Sequence, residues 1–200
     1  MILLISMLGC QTDTPEDTSI PTNAIVTTWA TDQQLSASYT VPMGETLVIE
    51  AGTTIEVAPE VVLTIEGTLI ARGSEASPIQ FTATGDERWP GILFSDSATD
   101  ATFEKIDTYV DGSIVEYVTF DGAERAITLD GAAPYIHANT FRDNMSPATT
   151  KPLGGGGLLI QNGSTPRVRN NLFENNDASL FGFGGAVCIH HSDPIVQDNT

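Results

Sequence analysis

Apolar residues recur at every second position through much of the chain. Leu47 and Ile49, Ile55 and Val57, Leu63 and Ile65, Leu69 and Ala71, Ile79 and Phe81, and Ile92 and Phe94 each flank a single outward position. Gly, Pro, Asn or Asp closes the runs. A period of two puts one face of a strand inward and the other outward, so these runs predict short strands from Tyr39 onward. Strands this short and evenly spaced fit a sandwich, a barrel or a solenoid. An internal repeat decides between them.

The repeat is visible in the second half. Relative to Pro134, Pro166 and Pro194, a β-branched residue stands at +2 (Ile136, Val168, Val196) and Asn at +5 (Asn139, Asn171, Asn199). Phe stands at +7 in the two copies that extend that far, Phe141 and Phe173. Ser113–Phe120 reads as a degenerate earlier copy, 21 residues ahead of Pro134, with Val118 in the Asn column. A bare coil of about 21 residues is therefore expected, with the excess placed in loops Met145 to Gly156 and Asp177 to Gly185. Insertions confined to one corner are what a solenoid tolerates.

One strand per coil should carry Ile127 and Leu129 or Val187 and Ile189 inward, the next the +2 residue, and the third the Phe. Leu158-Leu159-Ile160 reads as slipped by one residue against its neighbours. Six or seven coils would stack into a rod near 30 Å long, at about 4.8 Å per coil. The +5 Asn is expected at a tight bend, where Asn tolerates positive φ. Stacked from coil to coil, Asn139, Asn171 and Asn199 would form an amide ladder. The chain stops at Thr200, one residue short of the next expected Phe, and so reads as a fragment of a longer rod.

The N-terminal residues follow a different pattern. Met1 to Gly9 is almost wholly apolar. It is shorter than the roughly 20 residues a membrane span needs, and reads as a signal segment. Met7-Leu8-Gly9-Cys10 resembles the bacterial lipobox, although no Lys or Arg precedes the apolar run. The resemblance implies lipidation at Cys10, and Gln11 after it implies the outer membrane or cell surface. Residues 10–38 are polar and acidic, a tether composition, with Ile25, Val26 and Trp29 placed to dock on the domain over 39–200.

Composition narrows the function. Eight Lys and Arg against 26 Asp and Glu give a net charge of −18. That argues against a nucleic-acid partner and against electrostatic membrane attraction. The two cysteines, Cys10 and Cys188, suggest no disulfide framework. Gly154–Gly157 lacks the Lys and Ser/Thr of a phosphate loop.

The repeat columns and the segments Val41–Ile55, Glu66–Gly73, Pro78–Thr82 and Trp89–Phe94 resemble those of right-handed parallel β-helix proteins, the pectate-lyase-like fold. The fold class expected is all-β, a right-handed parallel β-helix with corner loops. In enzymes of this kind the resemblance places the substrate groove over the first sheet and its loop corner. Here that face would carry Thr128, Asp130, Cys188 and His190, with Gln161 or Ile160 between. Lyases of the family need an acidic calcium cluster and an Arg base, and the related hydrolases need two or three Asp on adjacent coils. Neither pattern is found. A paired-carboxylate mechanism needs two carboxyls about 5 to 9.5 Å apart, and Asp130 stands alone on its column.

His190 and His191 are adjacent strand residues and so should point to opposite faces, with His137 on another sheet. No metal site is expected. Calcium at the turns Asp121-Gly122 and Asp130-Gly131 is the one cofactor to weigh, and the nonapeptide calcium repeat is absent. Phe181, Phe183 and Leu180 make the second loop unusually apolar for an exposed insertion; they either bind a partner or fold back on the neighbouring coil. The two loops read as the only large departures from the bare coil.

The leading reading is a monomeric, non-catalytic, lipid-anchored surface module that binds a polysaccharide or surface partner, or acts as a spacer. Asp130, His190, Phe181 and Phe183 are its candidate contacts. The alternative is a carbohydrate-active lyase, epimerase or hydrolase whose catalytic residues lie partly outside this segment.

Overall fold

A computed structural model describes residues 25–105, 108–147, 154–179 and 182–200. Three parallel sheets run the length of a right-handed solenoid. Sheet 1 has six strands, from Tyr39–Val41 to Val187–His190. Sheet 2 has seven, from Ile25–Trp29 to Ile195–Gln197, and sheet 3 has six, from Gln33–Leu35 to Leu172–Glu174. Six coils contribute one strand to each sheet, Ile195–Gln197 adds a seventh strand to sheet 2, and the pairing is in register from coil to coil. Ile127 pairs with Ile92 and Leu158, Ile136 with Val115 and Val168, and Phe141 with Phe120 and Phe173.

Burial follows the alternation. All twelve residues of the six apolar pairs are at most 1% exposed, so every one of those runs faces the core. The Phe column is the best-ordered part of that core. Phe81, Phe120, Phe141 and Phe173 stack at centroid separations of 5.4, 5.1 and 4.8 Å, with interplanar angles of 14°, 11° and 7°. Trp89 continues the stack from Phe81 at 5.7 Å.

Asn139, Asn171 and Asn199 stack at the corner between sheets 2 and 3. Asn139 Nδ2 donates to Asn171 Oδ1 at 3.0 Å, and Asn171 Nδ2 to Asn199 Oδ1 at 2.9 Å. Left-handed backbone at this corner falls one residue earlier than expected, on Ala138, Asn170 and Asp198, each at φ 55. The ladder Asn is instead buried, Asn139 at 1% and Asn171 at 2% exposed. The preceding left-handed residue turns the chain, and the Asn side chain satisfies backbone groups inside the bend. A second ladder repeats the device three residues past the Phe column. Asn144 Nδ2 donates to Asn176 Oδ1 at 2.9 Å, after Asp143 and Asn175 at φ 53 and 54.

Four further expectations need correction. The solenoid extends back past Tyr39 to Ile25, the first described residue: Ile25–Trp29 pairs in parallel with Glu45–Ile49, and Gln33–Leu35 with Thr54–Val57. Residues 25–38 are thus not tether, because these end strands need bury only residues such as Trp29, 7% exposed, to belong to the rod. The strand Leu158–Gln161 is not slipped, and Gln161 lies between Asp130 and His190. Its alternation is hidden because Leu158, Leu159 and Ile160 are all buried. A third departure from the bare coil exists, an antiparallel hairpin of Thr102–Glu104 with Thr108–Asp111. The fourth correction concerns the paired histidines, described below. Met1 to Gly9, Cys10, Leu180 and Phe181 lie outside the described residues.

Candidate functional site: the outer face of sheet 1

Strand register sets out the face. One outward column runs Leu93, Thr128, Leu159, Cys188. Beside it Asp130, Gln161 and His190 stand on successive coils. Asp130 and His190 are two strands apart, about 10 Å at the usual strand spacing. The Asp130 carboxylate accepts from Asn162 Nδ2. His190 is exposed. Its neighbour His191 sits at φ 50, outside the strand, so alternation no longer applies. The two rings stack at 4.0 Å and 14° instead of pointing to opposite faces. Among the described residues no three or more His, Cys, Asp and Glu come together to hold a metal ion. Cys188 is a half-buried free thiol.

The loop corner borders this face. Gly155, Gly156 and Gly157 donate their N–H groups to the carbonyls of Gly184, Gly185 and Ala186 at 2.7, 2.6 and 3.1 Å, so the two loops stack like adjacent strands. Close approach explains the glycines. A Cβ on Gly154 would overlap the Phe183 carbonyl, and one on Gly156 would press on the carbonyls of Asn144 and Asp177. Arg125 clamps the run, donating to the carbonyls of Gly155 and Gly154 at 3.2 Å each. Burial pushes the Arg125 guanidinium below its ordinary range, with Cys188 and Glu124 acting in the opposite sense. Phe183 projects from this corner and is 74% exposed. It does not fold back on the neighbouring coil.

The outer face of sheet 2 carries a cluster that the sequence pattern did not single out. Arg72 Nη2 lies 2.9 Å from Glu116 Oε2, and Glu116 Oε1 lies 3.0 Å from His137 Nδ1. Asn170 Nδ2 is 3.1 Å from His137 Nε2. The hairpin lays Phe103 and Tyr109 against Tyr135 at 5.2 and 6.3 Å, and the Arg167 guanidinium sits 3.7 Å over the Phe103 ring. Burial, with Asp111 adding to it, pushes the Tyr109 phenol above its usual value. The hairpin that completes the cluster has no counterpart in the repeat.

Three stacked parallel sheets and two asparagine ladders define a parallel β-solenoid that presents long outer faces. The family model described as "Right handed beta helix region" matches residues 48–200, and the chain belongs to that family. Comparisons with curated proteins and with solved structures return no match.

Proposed function

We propose that the rod is a non-catalytic surface module that takes a glycan or a surface partner along the outer face of sheet 1 and its loop corner. The observation that carries this reading is Phe183, 74% exposed on a loop otherwise held by close backbone contacts. An exposed aromatic ring on a rigid scaffold is costly to leave bare in water and useful as a stacking platform. The Asp130, Gln161 and His190 column, at the opposite ends of the sheet 1 strands, supplies acceptors and donors on the same face. A glycan array read with the parent and with Phe183→Ala tests the reading, with a Phe181→Ala/Phe183→Ala pair included. Loss of array signals in the variants is the expected result. Signals that survive loss of both rings would exclude the loop, and cleavage of pectin or alginate would overturn the non-catalytic reading.

The same reading includes a lipid anchor at Cys10 in the cell envelope, supported by the apolar run before it. In cells, Cys10→Ser should move the protein from the membrane to the soluble fraction. Equal membrane retention of both forms would count against the anchor. A single acyl chain holds a protein only marginally, so the multiple chains of a bacterial lipoprotein are part of the claim.

A further inference from the structure

A groove of about 450 Å³ lies at the ladder corner between sheets 2 and 3, away from the face just discussed. Its wall is the small loop from Ser74 to Pro78. Ser74 and Ser77 exchange backbone hydrogen bonds of 3.1 Å each, which makes the loop stand out from the rod. The next coils cross the same corner with one left-handed residue apiece, Tyr117, Ala138 and Asn170. A protruding loop beside tight turns leaves a trench. Its floor continues onto sheet 3, where Thr119 pairs with Thr140.

From the groove's lining we infer a second binding site, one for an uncharged saccharide, with Tyr117, Asn170 and Glu75 as its recognition residues. The argument is chemical. The lining residues include one carboxylate, Glu75, and no cationic side chain, so an anionic ligand gains nothing there. One carboxylate is also too little for a divalent cation. An apolar ligand would cover the hydroxyls of Thr119 and Thr140 and the Asn170 Oδ1 and offer them no partner. A neutral sugar fits both kinds of surface: its C–H face packs on the Tyr117 ring, and its hydroxyls pair with the amide, the carboxylate and the threonines. The volume lies in the range that holds a small ligand, about 300 to 1,000 Å³.

The side chains of sheet 2 set the Asn170 amide. With Glu116 accepting from His137 Nδ1–H, the other ring nitrogen is the acceptor, and Asn170 Nδ2 donates to it. The Asn170 Oδ1 is thereby left to accept from a ligand hydroxyl. His137 is a positioning residue in this arrangement.

Calorimetric titration of the full chain tests the site, using neutral tetrasaccharides of glucose, mannose, galactose, xylose and N-acetylglucosamine, with tetragalacturonate as the charged control. At least one neutral sugar should bind with 1:1 stoichiometry. A Glu75→Ala/Asn170→Gly double variant should weaken it at least tenfold while staying folded by circular dichroism, since glycine accepts the φ 55 of Asn170 without strain and only the exposed bond to His137 is lost. Phe183→Ala should leave it intact, which separates this site from the loop corner. The inference falls if no neutral sugar binds, if only tetragalacturonate binds, if the double variant binds like the parent, or if Phe183→Ala abolishes the binding.

Discussion

Phe141→Ala should lower the stability of the rod by about 3 to 5 kcal/mol. Phe141 is fully buried and lies between Phe120 and Phe173, at 5.1 and 4.8 Å. Each stacked pair contributes roughly 0.5 to 1.5 kcal/mol beyond simple burial. The larger part of the loss is the cavity. In many cores neighbours relax into such a space, but here the strand carrying Phe141 is paired on both sides, with Val118–Asp121 and Leu172–Glu174. Backbone ladders hold the coils at their spacing, so the flanking rings cannot close the gap. Phe173→Ala should cost less, because Phe173 is only half-buried. Urea titration of parent and variants, followed by far-UV circular dichroism, measures both. A loss below about 1 kcal/mol for Phe141→Ala would mean that the cavity collapses, against the rigid coil spacing described here.

The fold was legible because a solenoid writes the same constraint once per coil. Ile136 and Val168 face one core, and each pairs with the other in register, so a single column repeats in the sequence. Elements that occur once escape this logic. Ile25–Trp29 is an end strand that leaves Ile25 and Val26 57% and 55% exposed, and its weak alternation looks like tether. The hairpin of Thr102–Glu104 and Thr108–Asp111 is antiparallel and local, so no column marks it. The second ladder did leave a signal: Phe141-Arg-Asp-Asn144 and Phe173-Glu-Asn-Asn176 share a Phe-x-x-Asn spacing. The left-handed corner residues left none, because Tyr117, Ala138, Asn170 and Asp198 share a backbone angle and no side-chain chemistry.

The candidate sites were less legible for a related reason. Asp130 and His190 follow from the repeat and could be placed on one face, whereas Gln161 was open against Ile160 until the strand pairing fixed it. The stacking of His190 on His191 depends on a single left-handed residue that closes the strand. The exposure of Phe183 depends on how two glycine-rich loops pack on each other, which no periodic pattern encodes. The groove at the ladder corner arises from the contrast between one protruding loop and three tight turns. Such a contrast is visible only when the coils are stacked.

Asn139→Leu should destabilise the rod by about 3 kcal/mol or more, because two or more buried polar groups lose their partner. Asn139 Oδ1 accepts from the Val118 N–H at 2.9 Å, and Nδ2 donates to the Val115 carbonyl at 2.9 Å and to Asn171 Oδ1 at 3.0 Å. Leucine fills the space and makes none of these bonds. Asn139→Asp separates the donor role from the acceptor role. The ionised carboxylate of that variant would still accept from Val118 but would face the Val115 carbonyl and Asn171 Oδ1 with no hydrogen to give. Burial among acceptors raises the folded-state pKa of the new carboxyl above its unfolded value of about 3.9. The folded state therefore binds the proton more tightly than the unfolded state, and the stability of this variant falls as pH rises through that window. Relative to the parent at each pH, Asn139→Asp should lose more at pH 7 than at pH 4 in urea titrations. An equal loss at the two values would show that the Nδ2 donors contribute little, and that the ladder acts through its acceptors alone.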